Sequence, residues 1–294
     1  MENMTAKVSC FVRAYHYRNC DSRVFDDEAA ELLLGREDYE AIGENMSQGI
    51  AFFTPGFAGT KEEALRLIVE RQLGPSVLGR SAFCERHLEN ERMLGCSQYV
   101  IFAVGYDTFS FRENASGLTV FELDLPELLT DRRKRVEKSG LRRTGDCREI
   151  ACDLAAEDWC EKLLAAGFDR TKKSFGSLLG ISYYLPREAF EKLLGKISEL
   201  WQEGAAICLD YPMQNPGEES EKTRKLASGA GEAMQAKYSY KEMEELLSEH
   251  GFLIYEHLDG EQMTETYFQE YNEKNPGHEM KAPEGVGYLL AVKK

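Results

Sequence analysis

One stretch, residues 98–112, constrains the fold of this chain more than any other part of it. It begins with a run of apolar residues, 99–104, and then turns at Gly105. A short apolar run that ends in a glycine turn is typical of the first parallel strand of an α/β sheet, which carries its loop to the carboxyl edge of the sheet. Because Gly105 has no Cβ atom, the backbone can bend sharply there and a ligand can approach it closely.

A second short strand begins at Leu118 and ends in a carboxylate, Asp124. In α/β folds that hold a nucleoside, the turn after the first strand passes beside the ligand. An acid at the end of the second strand then accepts hydrogen bonds from the ribose hydroxyls. Gly105 and Asp124 together predict a nucleoside site at one edge of the sheet.

From residue 98 onward the chain alternates between strand patterns and helices. This alternation predicts a Rossmann-like α/β fold, with a mostly parallel sheet of seven strands and helices on both faces. The long segment between the last two strand patterns is compatible with a final strand inserted antiparallel beside its predecessor. The predicted strands are residues 98–104, 118–123, 148–152, 174–180, 205–210, 252–257 and 286–292.

The first 95 residues contain no convincing strand pattern. We interpret residues 1–95 as a helical cap or lid packed on a core formed by residues 96–294. Residues 1–25 show little clear period, and Arg13, Arg18 and their neighbours are expected to help close the site. Residues 212–236, rich in Gly, Glu, Ser and Lys, are expected to be a mobile loop or a short helical insertion.

Helix boundaries are marked by capping signals. Capping boxes at Thr60 and Ser239 predict two helix starts, and the pair Gly74-Pro75 is expected to break a helix. Gly140 follows a helix that starts near Pro126. The predicted helices are residues 26–35, 60–73, 75–93, 126–139, 157–166, 187–203 and 239–251.

Composition excludes several classes of protein. The net charge of −15 argues against a nucleic-acid or anionic-membrane partner, because both would be repelled. There is no apolar signal core and no run long enough to span a membrane. The eight cysteines form no CxxC pair and no Cys/His cluster with zinc spacing, so we predict no metal site and a cytoplasmic protein with reduced thiols.

Residues 98–112 followed by FELDLPEL resemble the leucine carboxyl methyltransferase family, and more closely its bacterial branch of small-molecule O-methyltransferases. The family pattern is a strand, then GxGxDT, an arginine a few residues on, and a strand that ends in E-x-D-x-P. Here the pattern becomes Ala103-Val-Gly105-Tyr-Asp107-Thr108, then Arg112, then Glu122-Leu-Asp124-Leu-Pro126. The resemblance implies a class I methyltransferase fold, S-adenosylmethionine as the methyl donor and a small-molecule acceptor.

The resemblance also implies roles for individual residues. Gly105 matches the glycine beside the methionine part of the cofactor, and Asp124 the acid that binds the ribose, with Glu122 as a second candidate. Asp153 matches the acid that reads the adenine amino group. Arg80 is the nearest match to an upstream arginine that pairs with the cofactor carboxylate, for which the guanidinium fork is well shaped. The other residues expected to line the cofactor site are Ala103, Asp107, Leu125, Cys152 and Leu154.

Two positions depart from the family pattern. Ala103 replaces the first glycine of GxGxD, which adds a methyl group beside the cofactor. We place Gly180 at the acidic position of a second family pattern, EGxxxYL. Because glycine has no carboxylate, one expected contact to cofactor or substrate is lost. The acceptor therefore does not carry over from the protein-modifying members of the family.

Two residues are candidates for acting on the acceptor, Tyr183 and His16. A carboxylate acceptor is already anionic, whereas a hydroxyl acceptor needs a general base such as His16 or a tyrosine. The sequence shows no His–Asp pair near the fourth strand, which favours positioning of the reactants over base catalysis.

Other interpretations stay open. Asp124 and Asp153 could be helix caps, Arg80 a surface ion pair and Tyr183 a core aromatic residue. The whole protein could be a non-catalytic S-adenosylmethionine-binding or scaffold protein, because Ala103 and Gly180 weaken the pattern. An NAD-dependent oxidoreductase is disfavoured, since it should show GxGxxG at the start of a helix. The oligomeric state is open, a homo-oligomer included.

Overall fold

The structure is a computed structural model that describes residues 4–156, 158–214 and 235–294. The strands are β1 Gln98–Phe102, β2 Thr119–Asp124, β3 Asp146–Ala151, β4 Ser174–Leu178, β5 Ala206–Pro212, β6 Phe252–Leu258 and β7 Val286–Lys293. They form one sheet in the order β3-β2-β1-β4-β5-β7-β6. The neighbouring pairs from β3 to β5 are parallel, and β7 lies antiparallel between β5 and β6. The predicted seven-stranded sheet with an antiparallel last strand is confirmed.

Helices cover both faces of the sheet. The helices are α1 Met4–Asn19, α2 Ala30–Leu34, α3 Arg36–Gln48, α4 Ile50–Phe53, α5 Lys61–Ile68, α6 Gly74–Met93, α7 Pro126–Ser139, α8 Trp159–Ala165, α9 Arg187–Leu200, α10 Tyr240–Glu249, α11 Gly260–Met263 and α12 Gln269–Lys274. Two π-helical turns, Val69–Leu73 and Thr264–Phe268, follow α5 and α11.

Alternation along β1 divides the core into two hydrophobic clusters. Tyr99 and Ile101 pack in the cluster that contains the buried residues of α1, α2, α6 and α7. Val100 and Phe102 pack in the cluster that contains those of α8, α9 and α10. Successive side chains of a strand point to opposite faces, so each face of β1 is buried under its own layer of helices.

The predicted capping signals are present. Thr60 accepts a hydrogen bond from the N–H of Glu63, whose carboxylate accepts one from the N–H of Thr60, and Ser239 and Glu242 form the same box. Gly140 ends α7 in the left-handed conformation, with φ of +73°. These local signals were sufficient to place the starts of α5 and α10 and the end of α7.

Three predictions for the N-terminal part need correction. Residues 1–25 contain the well-formed helix α1, which lacks a clear apolar period because polar residues such as Lys7 and Arg13 are buried beside its apolar ones. Helix α3 was not predicted. Gly74-Pro75 does not break the helix: Gly74 is right-handed helical, and the proline lies in the first turn of α6, where no N–H is needed.

The predicted insertion at 212–236 lies mostly in residues 215–234, outside the described residues.

Candidate active site

A cavity of about 1780 Å³ opens above the carboxyl ends of the parallel strands. Residues that follow β1, β2, β3 and β4 line one side, and residues of α1, α3, α4, α6 and the Val69–Leu73 turn line the others. β1 lies between β2 and β4, so the strand order reverses at this point. In open α/β sheets, ligands bind in the crevice at such a switch point.

Asp124, at the end of β2, lies at this edge and is 6% exposed. Its Oδ2 accepts the N–H of Gly105 at 2.7 Å, and its Oδ1 accepts the N–H of Leu125 at 2.7 Å. Burial raises the pKa of the carboxyl, against the opposing effect of these two hydrogen bonds. Each carboxylate oxygen has a further lone pair, so the side chain can still accept hydrogen bonds from a ligand.

The loop after β1 has an unusual backbone. Ala103 has φ of +53° and is the one non-glycine residue with positive φ among those described. Gly105 has φ of +52°, and a Cβ atom there would lie 3.3 Å from the Cβ of Ala6 in α1. A left-handed L-residue costs roughly 1–2 kcal/mol, and such strain is often found at binding sites. The loop therefore presents its backbone to the cavity directly beneath α1.

The end of β3 supplies a third side of the cavity. Asp153 is exposed there, and its Oδ1 accepts the N–H of Ala155 at 2.9 Å. Cys152 is buried, and burial raises the pKa of its thiol to about 12, so it stays protonated and unreactive. The cavity is also lined by Ala103, Asp107, Leu125 and Leu154.

Arg80 of α6 and Gly180 meet on the other side of the cavity. A Cβ atom on Gly180 would lie 2.9 Å from Nη1 of Arg80, and Gly180 has φ of +69°. The positive φ favours glycine at this position, whereas the Arg80 side chain could shift to admit a Cβ atom. Aligned on Tyr184 and Leu185, the EGxxxYL pattern puts its glycine on Gly180 and its acid on Leu179. Our placement of Gly180 at the acidic position is therefore wrong by one residue, and Leu179 is the departure.

Asp210, near the end of β5, organises this side of the cavity. Its Oδ1 accepts the N–H of Gly180 at 2.6 Å, and its Oδ2 accepts the hydroxyl of Tyr183 at 3.0 Å. The same Oδ2 lies 3.4 Å from Nη1 of Arg80. Asp210 was not predicted as a site residue, although an acid at the end of the fifth predicted strand was a usable signal.

Tyr183 lines the cavity with its ring while its hydroxyl donates to Asp210. Burial, and then the Asp210 carboxylate, raise the pKa of Tyr183 well above its ordinary value. The hydroxyl is therefore protonated at neutral pH and is not poised to take a proton from an acceptor.

Two predicted site residues do not reach the cavity. Glu122 is fully buried, and its carboxylate binds the guanidinium groups of Arg132 and Arg143 and the hydroxyl of Ser110. Despite burial, these groups lower its pKa to about 2. The structure thus places Glu122 in a buried ion-pair cluster behind the site.

His16 is fully buried in α1, away from the cavity. Its Nε2 accepts the N–H of Val24 at 2.9 Å, and Nδ1 has no partner among the described residues. Burial, with a smaller effect of Arg23, lowers the pKa of His16 to about 4. The structure places this residue in the helix packing rather than at an acceptor.

A second buried acid, Asp27, joins α1 to the loop after β1. Its Oδ2 accepts from Nε of Arg13 at 2.8 Å, and its Oδ1 accepts the hydroxyl of Thr108 at 2.6 Å. Arg13 also donates to the carbonyl of Tyr106 at 2.7 Å. Asp27 was not predicted as a site residue, because nothing in its local sequence indicates that it is buried.

Two general features of the described part of the chain complete the site. No group of three or more His, Cys, Asp or Glu side chains in this part is arranged to hold a metal ion. None of its helices combines the length and the apolar character that crossing a bilayer requires.

Comparison with known proteins identifies a family and a relative whose sequences are similar to this chain. The sequence model of the leucine carboxyl methyltransferase family matches residues 6–198. A candidate S-adenosyl-L-methionine-dependent methyltransferase of Bacillus subtilis (strain 168), YktD, is 34% identical over 304 residues, which cover 99% of this chain and 98% of that protein.

Two solved structures share the fold. A candidate methyltransferase from Thermobifida fusca has a TM-score of 0.56 at 14% identity, covering 98% of this chain and 94% of the other. A DUF574 family protein from Streptomyces avermitilis has a TM-score of 0.57 at 13% identity, with 97% of each chain covered.

The fold and the family match define the class of this protein: it is a class I methyltransferase that depends on S-adenosylmethionine. More particularly, the chain belongs to the leucine carboxyl methyltransferase family.

Proposed function

We propose that this protein transfers the methyl group of S-adenosylmethionine to a carboxylate oxygen of a small molecule. The observation that carries the choice of a carboxylate is the make-up of the cavity wall. Among the described residues that line it there is no histidine, and two of the three tyrosines, Tyr183 and Tyr106, donate their hydroxyls to Asp210 and Asp131. A carboxylate is already anionic and needs no general base, whereas a hydroxyl acceptor does.

The residues at the edge of the sheet fit the cofactor. Asp124 keeps lone pairs for the two ribose hydroxyls, and Asp153 is exposed beside it for the adenine amino group. Arg80 lines the opposite side and would pair with the methionine carboxylate. Gly105 has no Cβ atom, so the cofactor can approach its backbone closely. A Cβ atom at this position would also crowd Ala6. When bound, S-adenosylmethionine supplies an electrophilic methyl carbon attached to a positively charged sulfur.

The protein's own contribution is positioning. Methyl transfer by in-line displacement needs the accepting oxygen, the methyl carbon and the sulfur in line at near-attack distance. Asp210 fixes Gly180 and the ring of Tyr183 on the acceptor side, and Asp27 holds α1 over the loop after β1. In this proposal α1 also excludes water, which is the lid role expected for the N-terminal part.

A non-catalytic S-adenosylmethionine-binding protein is the alternative. Leu179 at the acidic position of the family pattern and the methyl group of Ala103 in the cavity are the observations that favour it. Both change the wall of the site without filling it, so binding and turnover need separate tests.

The test starts with calorimetry of the full chain with S-adenosylmethionine and S-adenosylhomocysteine. Transfer of a radiolabelled methyl group to a panel of carboxylic acids and to the matching alcohols then follows. We expect base-labile methyl esters, which release labelled methanol, from the acids only. Labelling of the alcohols instead would overturn the choice of carboxylate. Binding without turnover on either panel would favour the non-catalytic alternative, and no binding would reject both.

A further inference from the structure

The part of the cavity farthest from the sheet has a chemistry of its own, and its size is the first observation. The whole cavity measures about 1780 Å³, whereas pockets for drug-sized ligands are typically about 300–1,000 Å³. The residues assigned to the cofactor all lie along the ends of β1, β2 and β3 or on α6. The space beneath α3, α4 and the Val69–Leu73 turn is therefore left for the acceptor.

The walls of this distal part are mostly apolar, with Asp38 and Asn45 of α3 and Arg71 and Gln72 of the π-helical turn as their polar members. Ile42 and Met46 of α3, Phe52 and Phe53 of α4, and Ile68 and Leu73 beside them all line it. Helix α4 has no buried residue, although its sequence is IAFF. The rings of Phe52 and Phe53 stand edge to face at 5.2 Å, and Phe52 is 48% exposed. When a ligand covers large apolar side chains that are open to water in a cavity, their removal from water favours binding.

The π-helical turn Val69–Leu73 forms part of the cavity wall between α5 and α6. Its residues Arg71, Gln72 and Leu73 line the cavity together with residues of α3. Single π turns are often found at functional sites.

We infer that the acceptor is an elongated, mostly apolar carboxylic acid whose chain lies between α3, α4 and the π-helical turn. This inference rests on the proposed methyl transfer to a carboxylate. The carboxylate would lie at the Tyr183 end, where the cavity meets the loop after β1, and the apolar body would cover Met46 and Phe52. A short, polar acid would leave these walls in water.

The experiment measures binding of butyric, octanoic, dodecanoic and hexadecanoic acids to the full chain saturated with S-adenosylhomocysteine. Each methylene that is buried contributes about 0.8 kcal/mol, so we expect Kd to fall roughly fourfold per methylene until the chain fills the space. Equal affinity for butyric and dodecanoic acids, or no binding of any acid to the cofactor-saturated protein, would overturn the inference.

Variants separate this wall from the rest of the protein. We expect Met46→Gln and Phe52→Ser to weaken dodecanoic acid binding roughly tenfold and to leave S-adenosylhomocysteine binding unchanged. Phe52 is 48% exposed and Met46 is only half-buried, so folding should be preserved. Tyr255→Ser is the matched control, because Tyr255 is 76% exposed on β6 and does not line the cavity.

The outcomes distinguish the two proposals. If S-adenosylhomocysteine does not bind, the proposed function fails and takes this inference with it. If S-adenosylhomocysteine binds but the two wall variants have the same affinity for dodecanoic acid as the Tyr255→Ser control, only the inference about the acceptor fails.

Discussion

The carboxylate of Asp124 accepts a hydrogen bond of 2.7 Å from the backbone N–H of Gly105. This bond ties the loop after β1 to the end of β2, which are the two features that predicted a nucleoside site. The second oxygen accepts from Leu125, at the start of α7. Leu125 is the N-cap residue of α7 and the start of this helix has no side-chain cap, so the interpretation of Asp124 as a helix cap is wrong.

Asp124→Asn should weaken S-adenosylhomocysteine binding at least tenfold by calorimetry. An asparagine has one acceptor oxygen and one NH₂ group, whereas Gly105 and Leu125 both present N–H donors, so one contact becomes repulsive. The loss should also lower the free energy of unfolding by about 1–3 kcal/mol. Glu113→Gln, an exposed residue outside the cavity, serves as the control. Unchanged cofactor affinity in Asp124→Asn would contradict the assignment.

Ala103→Gly should raise the free energy of unfolding by up to about 1 kcal/mol. Relief of the left-handed conformation, worth roughly 1–2 kcal/mol, is partly offset by the greater freedom of glycine in the unfolded chain. Cofactor affinity should stay the same or increase, since a methyl group leaves the cavity. Ala103→Val should destabilise the protein, because a β-branched residue tolerates this φ poorly. Urea unfolding of both variants provides the measurement, and the same sign for both would refute the argument.

Asp210→Asn should impair the site more than Tyr183→Phe. The NH₂ group of an asparagine would face a donor in either orientation, the N–H of Gly180 or the guanidinium of Arg80. We expect roughly a tenfold increase in the Kd for S-adenosylhomocysteine, because the positions of Arg80 and Gly180 are disturbed. Tyr183→Phe should retain turnover within about threefold, because the protonated hydroxyl takes no proton from the acceptor. Complete loss of turnover in Tyr183→Phe would show that the hydroxyl acts in catalysis.

His16→Gln should reduce the acid sensitivity of the fold. The pKa of His16 is about 4 in the folded protein, against an ordinary value of 6.5. On acidification the unfolded chain binds the proton first, so stability is full above pH 6.5 and is lost as the pH falls towards 4, by roughly 3 kcal/mol. Glutamine keeps an acceptor for the N–H of Val24 without this titration. Urea unfolding at neutral and mildly acidic pH gives the comparison; an unchanged pH slope in the variant would disprove the contribution.

The membership of the family, the sheet and the position of Gly105 and Asp124 at its carboxyl edge followed from local patterns. A strand pattern, a glycine turn and an acid at the end of the next strand are all set by residues close together in sequence. The same holds for the capping boxes at Thr60 and Ser239. The roles of His16 and Glu122 did not follow, because burial and partners many residues away decide them.

By itself, the sequence determined the α/β fold with seven strands, its antiparallel last strand and the placement of Gly105, Asp124 and Asp153 at one edge. Only the tertiary structure decided that Glu122 pairs with Arg132, that the buried His16 accepts the N–H of Val24, and that Asp210 joins Arg80, Gly180 and Tyr183. Hydrophobic period and turn chemistry act over a few residues, whereas the pairing of a buried polar group depends on which elements the sheet order brings together.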